Sequence, residues 1–248
     1  MSLKKSIEMF EVILSTAADY KLLEGYKPSR VLFVVDEDER TIRMSHVIRS
    51  LVLKLGLKVI IAYPPGLDLS PFLEALSPYV ETVENIDGND KPSKRILSLA
   101  DEHNVDFIAL TMPYPKVEED VRGGTLEALI SSGKYPLLIG RDPKDRERAA
   151  VLVAPNPISE KPIKRAVTLA KEKLDVVALN PDDVRKSYCE QLAELLSEKF
   201  ESSLVPIKKI EEVSHELVVY ELKNLGSPVY FRNVFMIVRD FSHGVLHT

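Results

Sequence analysis

One strand–helix–strand unit occurs twice in this chain, and that repeat limits the folds open to it. Arg30-Val31-Leu32-Phe33-Val34-Val35-Asp36 is an apolar run ending in an acid, followed by a helical pattern and then Lys58-Val59-Ile60-Ile61-Ala62-Tyr63. About 120 residues on, Ala150-Val151-Leu152-Val153-Ala154-Pro155-Asn156 opens a comparable helix, followed by Leu174-Asp175-Val176-Val177-Ala178-Leu179. In 248 residues a repeat of this size predicts two small α/β domains, 29–142 and 149–248, with an N-terminal helix and connector over 1–28.

Within the first copy, apolar runs alternate with helical patterns in the manner of a parallel sheet. Strands are expected at 30–35, 58–63, 80–86, 106–110 and 137–140, with helices at 40–55, 70–76, 92–103 and 122–132. Gly56 stands where a left-handed cap is wanted, Asp38 and Ser70 are candidate N-caps, and Pro64-Pro65-Gly66 forbids continuation of a strand. Glu81 and Glu84 suit 80–86 to an exposed edge. The charged stretch Asp142–Arg148 marks the boundary between copies. The second copy supplies strands at 150–154, 175–179 and near 204–207, with helices at 159–172 and 182–199. Beyond Lys208 the repeat decays: Leu217–Leu222 and Val234–Val238 are joined either by a minimal crossover or by a hairpin through Gly226-Ser227-Pro228 with Val229-Tyr230-Phe231. Residues 4–24 read as a helix, packed outside the sheet or serving a partner.

Composition narrows the function classes. A net charge of −5 with interspersed signs argues against non-specific nucleic-acid binding. No apolar stretch is long enough to span a membrane, and Glu8, Glu11 and Asp19 interrupt any signal-like core, so a cytoplasmic location is expected. The single cysteine, Cys189, sits in a helical pattern and is expected to be structural. His46, His103, His215, His243 and His247 have no cysteine or carboxylate at metal-ligand spacing, and neither a nucleophile elbow nor a Walker loop is present.

The segment Arg30–Asp142 resembles a universal stress protein domain. The likeness rests on the strand ending in Val34-Val35-Asp36, on the run Ala100-Asp101-Glu102-His103-Asn104-Val105-Asp106-Phe107-Ile108, and on Gly124-Thr125-Leu126-Glu127-Ala128-Leu129 leading to Tyr135-Pro136-Leu137-Leu138-Ile139. The resemblance implies two tandem open, mostly parallel five-stranded sheets with flanking helices, adenine-nucleotide alpha-hydrolase-like, in the order 3-2-1-4-5, with the second copy reduced. It also implies a site. In the nucleotide-binding branch the acid after strand one holds the adenosine end, and a loop G-x2-G-x9-G-[S/T] after strand four wraps the phosphates. That makes Asp36, Gly123, Gly124 and Thr125 the binding candidates, with ATP or AMP as ligand.

The chain departs from that loop. Thr111 and Tyr114 stand where the first two glycines belong, and Glu118, Glu119 and Asp120 put acids in the path of phosphates, offset only by Arg122. In the second copy the acid becomes Asn156 and the glycine loop is missing. The expectation is a universal-stress-like regulatory or stress-response protein, not an enzyme, that binds a protein partner or small ligand and has a degenerate ATP site. The alternatives are an adenine-nucleotide sensor using the first crevice, or a soluble regulatory domain of a membrane transporter. An ATP pyrophosphatase would need a Ser/Gly-rich loop where Asp36-Glu37-Asp38-Glu39 stands. Leu137–Gly140 and Phe235–Val238 are the strands expected to pair, within one chain or between two.

Overall fold

In the computed structural model, the residues described are 21–87, 91–112, 124–144, 147–153 and 160–238. The chain divides into two compact units. The first takes Pro28–Asp145 and Ser227–Thr248, the second Met1–Lys27 and Arg146–Gly226.

The first unit is a βα alternation: β1 (Arg30–Val34), α1 (Glu39–Leu55), β2 (Lys58–Tyr63), α2 (Ser70–Leu76), β3 (Val80–Asn85), α3 (Pro92–Glu102), β4 (Phe107–Thr111), α4 (Thr125–Ser132) and β5 (Leu137–Gly140). The strands lie parallel in the order β3-β2-β1-β4-β5, as the resemblance implies. Val31, Leu32, Phe33, Ile60, Ile61, Phe107 and Ile108 are fully buried, as expected for strands covered on both faces. α1 starts at Asp38, whose side chain accepts the Arg40 N–H, and stops at Gly56 with φ 70°. Its buried face, Met44, Val47, Ile48, Leu51 and Val52, follows helical spacing. At α2 the cap differs from expectation. Ser70 is the first helical residue, and Asp68 accepts both its N–H (2.9 Å) and its hydroxyl (2.7 Å). β3 is an edge strand whose acids are tied back, Glu81 to Arg30 (2.9 Å) and Glu84 to His103 (3.0 Å).

β6 (Arg148–Val153), α5 (Glu160–Leu169), β7 (Lys173–Leu179), α6 (Asp183–Ser197), β8 (Leu204–Ile207) and β9 (Leu217–Glu221) form the second unit, with a 3₁₀ turn at Ile210–Glu212 in place of a crossover helix. Its strands are parallel in the order β9-β6-β7-β8. The internal registers of the two units correspond. Val31 lies opposite Phe107 as Ala149 lies opposite Leu217, and Arg30 opposite Lys58 as Arg148 lies opposite Lys173. The acid before the fourth strand repeats too: Asp106 accepts the Arg30 N–H at 3.0 Å and Glu216 the Arg148 N–H at 2.9 Å.

After β9 the chain makes α7 (Leu222–Leu225), capped by Gly226 at φ 74°, and then β10 (Val234–Val238). The hairpin alternative is overturned: Val229–Phe231 is irregular chain, with Tyr230 and Phe231 set edge-on against the Phe235 ring. β10 runs antiparallel along β5, pairing Val234 with Gly140 and Ile237 with Leu137.

Of the N-terminal helix, residues 1–20 lie outside the described set. Its end docks on α5, where Tyr26 N–H donates to the Thr168 hydroxyl (2.8 Å) and the Tyr26 ring lies 4.2 Å from the Arg165 guanidinium carbon. Gly25 makes the approach with φ 69°, and a Cβ there would stand 2.5 Å from Thr168 Oγ1. Gly25→Ala is therefore expected to undock this segment and destabilise the second unit by about 2 kcal/mol, from left-handed strain plus the clash. Faster hydrogen exchange at the Tyr26 amide, with unchanged exchange in β1 and β4, is the measurement that checks it.

Candidate functional site

An open parallel sheet offers its ligand crevice at the strand carboxyl ends, where the order reverses between β1 and β4. Asp36 stands two residues beyond β1 and is exposed. Its Oδ1 accepts the Asp38 N–H at 3.0 Å and the Thr41 hydroxyl. Thr41, fully buried in the first turn of α1, shares a 2.8 Å hydrogen bond with Thr111, the last residue of β4. Next to it Arg40 donates from Nη1 to the Met112 carbonyl at 2.7 Å and from Nε to Asp38 Oδ1 at 2.8 Å. The Arg40 bond holds the Asp38 carboxyl below the ordinary carboxylate range, and Asp38 in turn raises the Arg40 guanidinium. The start of α1 is thus tied across the switch point to the end of β4.

Gly124 is the N-cap of α4 in an extended conformation (φ −79°, ψ 174°), with no side-chain cap, and Thr125 opens the helix. Among the described residues no hydrogen bond joins Asp36 to Gly124 or Thr125. Gly123, Tyr114, the acids 118–120, Arg122, Asn156, His243 and His247 lie outside the described residues. Thr111, singled out in sequence as a missing glycine, is placed by the structure as a hydrogen-bonding partner of α1. Arg40 and Thr41 were not visible as site residues, because polar side chains in a first helical turn read as solvated or capping.

No histidine has a cysteine or carboxylate at metal-ligand spacing in the sequence, and the fold brings two of them to acids distant along the chain. His103 Nε2 meets Glu84 Oε1 at 3.0 Å, and in the second unit His215 Nε2 meets Asp175 Oδ2 at 3.0 Å. Asp175 further accepts the Ser203 N–H (3.0 Å) and hydroxyl (2.8 Å), with Arg148 Nη2 at 3.4 Å. This cluster, buried at Asp175 and His215 and open to solvent at Arg148, gathers residues at the amino ends of β6 to β9, the opposite end from a ligand crevice, and its chemistry is that of a clasp. Cys189 is buried in α6, where burial pushes its thiol up to about 12, the state of a packing residue. Among the described residues no group of three or more His, Cys, Asp or Glu could hold a metal, and no helix is long and apolar enough to cross a membrane.

A universal stress protein from Archaeoglobus fulgidus DSM 4304 superposes with a TM-score of 0.59 at 12% identity, covering 85% of this chain and 96% of that one. The fold is that of the universal stress proteins. A universal stress family protein from Burkholderia pseudomallei aligns over 46% of this chain and 97% of its own at 15% identity, with a TM-score of 0.34. No family profile and no curated protein matches the sequence. In universal-stress terms, β1 to β5 with α1 to α4 make up the unit that the sequence resembled, and Asp36 lies two residues beyond its first strand.

Proposed function

We propose that this chain is a universal-stress-type regulatory protein that works by binding a protein or small ligand, not by turnover, with the phosphate site of its first unit closed and a degenerate second copy as pseudo-symmetric partner. The observation that carries the reading is the tie between α1 and β4. The family's loop needs flexible backbone after strand four, free to fold its amides around phosphates. Here Thr111 is buried against Thr41, and the Met112 carbonyl is bonded to Arg40, whose charge is already shared with Asp38. Neither the cation nor the strand end is left for a triphosphate, so the residues present fit ATP poorly. The duplication is supported by the matching registers of the two units and by a superposition covering more of the chain than either unit alone. A cytoplasmic location is part of the same reading.

The sensor reading has one observation in its favour. Asp36 is exposed, and its Oδ2 has no partner among the described residues, as a ribose-binding carboxylate would require. Calorimetric titration with ATP and AMP decides between the two. Neither nucleotide is expected to bind with a Kd below about 1 mM. Micromolar binding that Asp36→Ala abolishes would make the protein a nucleotide sensor, and pyrophosphate released from ATP would make it an enzyme.

A further inference from the structure

The outer face of α1 carries a stripe that the crevice does not use. Ile42, His46, Arg49 and Leu53, at i, i+4, i+7 and i+11, fall on one side of the helix, and all four are exposed. Leu53 is 62% exposed, the most open large apolar side chain among the described residues, and Ile42 is 37% exposed. The two lie about 16 Å apart along the axis, with His46 and Arg49 between them. Arg43 flanks the stripe and reaches Asp142 only at 3.5 Å, while Arg49 has no ion pair among the described residues. Besides Arg40, which Asp38 and the Met112 carbonyl hold, the helix carries Arg43, Arg49 and Lys54 against the single acid Glu39, in a chain whose net charge is −5.

We propose that this face is a docking surface for an acidic amphipathic helix of a partner protein. Its two apolar side chains would sit on Ile42 and Leu53, and its carboxylates on His46 and Arg49. The spacing is the one by which helices seat on helices, and arginine is among the residues enriched where binding energy concentrates. A second copy of this chain is a poor occupant. Parallel pairing of two α1 faces sets Arg49 on Arg49 and antiparallel pairing sets it against His46, so in neither arrangement does this face offer Arg49 a carboxylate. A nucleic acid would leave both apolar ends idle and would meet Glu37, Glu39 and Asp142 at the amino end. The inference deepens the reading that the protein acts by binding and rests on it. The nucleotide titration, however, reports the crevice and does not involve Arg49 or Leu53, so the two can fail separately.

The test is a titration of the full chain with a synthetic helix of about 18 residues carrying two leucines eleven positions apart and glutamates between them, alongside a twin with lysines for the glutamates. The expected result is a Kd of about 10–100 μM for the glutamate peptide, weakened about tenfold or more by Arg49→Glu, by Leu53→Ser and in the lysine twin. Arg49→Glu should regain affinity for the lysine twin, a charge reversal that loss of structure cannot imitate. Both substitutions are at exposed positions, and circular dichroism should be unchanged. Equal binding of the two peptides, indifference to both substitutions, or no binding up to about 1 mM overturns the proposal. So does self-association that Leu53→Ser removes, which gives the face to a second copy, or tighter binding of a single-stranded oligonucleotide, which gives it to nucleic acid.

Discussion

Asp175→Ala is expected to lower the unfolding free energy by about 3 kcal/mol, among the largest losses any single substitution here should cause. The carboxylate is 10% exposed and is the shared acceptor for Ser203, His215 and Arg148. Removing it strands the Ser203 N–H and hydroxyl, leaves the buried His215 ring without its acceptor, and uncouples the amino ends of β6, β7, β8 and β9 together. The check is a urea titration followed by circular dichroism, with the midpoint moving down by about 1.5 M for a slope near 2 kcal/mol per M. The same clasp sets a pH dependence. Burial pushes the Asp175 carboxyl up, but the bonds from Ser203, His215 and Arg148 outweigh it and leave the group below its ordinary value. The unfolded chain therefore holds this proton more tightly than the folded one. The contribution is complete above the unfolded value of about 3.9 and is lost as pH falls through the lower folded value. Acid unfolding of Asp175→Ala should accordingly be flatter than that of the wild type below about pH 4.

Phe235→Ala is the second large effect, at about 3–5 kcal/mol. The ring is fully buried in β10 and is met edge-on by Tyr230 at 6.1 Å and Phe231 at 5.9 Å. Its loss leaves a cavity and also removes what holds β10 along β5. With Phe235 gone, the amides of Leu137–Gly140 should exchange faster, and the variant should aggregate on warming, because an apolar strand edge is then open to other chains. A substitution of similar size elsewhere in the core, such as Phe107→Ala, should destabilise without that concentration dependence.

Much of the first unit could be read directly from the sequence, because its punctuation is local. Asp38, Gly56, Pro92 and Gly133 mark helix ends through their own conformational preferences, and short β-branched apolar runs closed by turn residues, such as Val59–Ala62, read as buried strands. The strand order came from the resemblance, not from any residue pattern. What escaped notice was long-range. Thr41 and Thr111 are 70 residues apart, and Asp175 and His215 are 40 apart, so each looked like an ordinary polar residue until the sheet brought it to its partner. The cap of α2 was set one residue late, since Asp68 and Ser70 both favour helix starts and only geometry shows Leu69 at the cap with Asp68 accepting from Ser70. Val229–Phe231 was compatible by composition with either a hairpin strand or a link, and its rings are used for packing on Phe235 instead of for a ladder.

The antiparallel partnership of β5 and β10 also bears on how the protein is made. The unit begun at residue 28 has five of its strands by residue 140, yet the strand that closes its β5 edge ends at residue 238. At about 5–20 residues per second, roughly a hundred residues of intervening synthesis take some 5–20 s. Throughout that interval a ribosome carries a nearly finished sheet with an exposed apolar border. The nascent chain is then most exposed to mispairing with its neighbours on a polysome, and its yield in cells should depend on how quickly translation crosses the second unit.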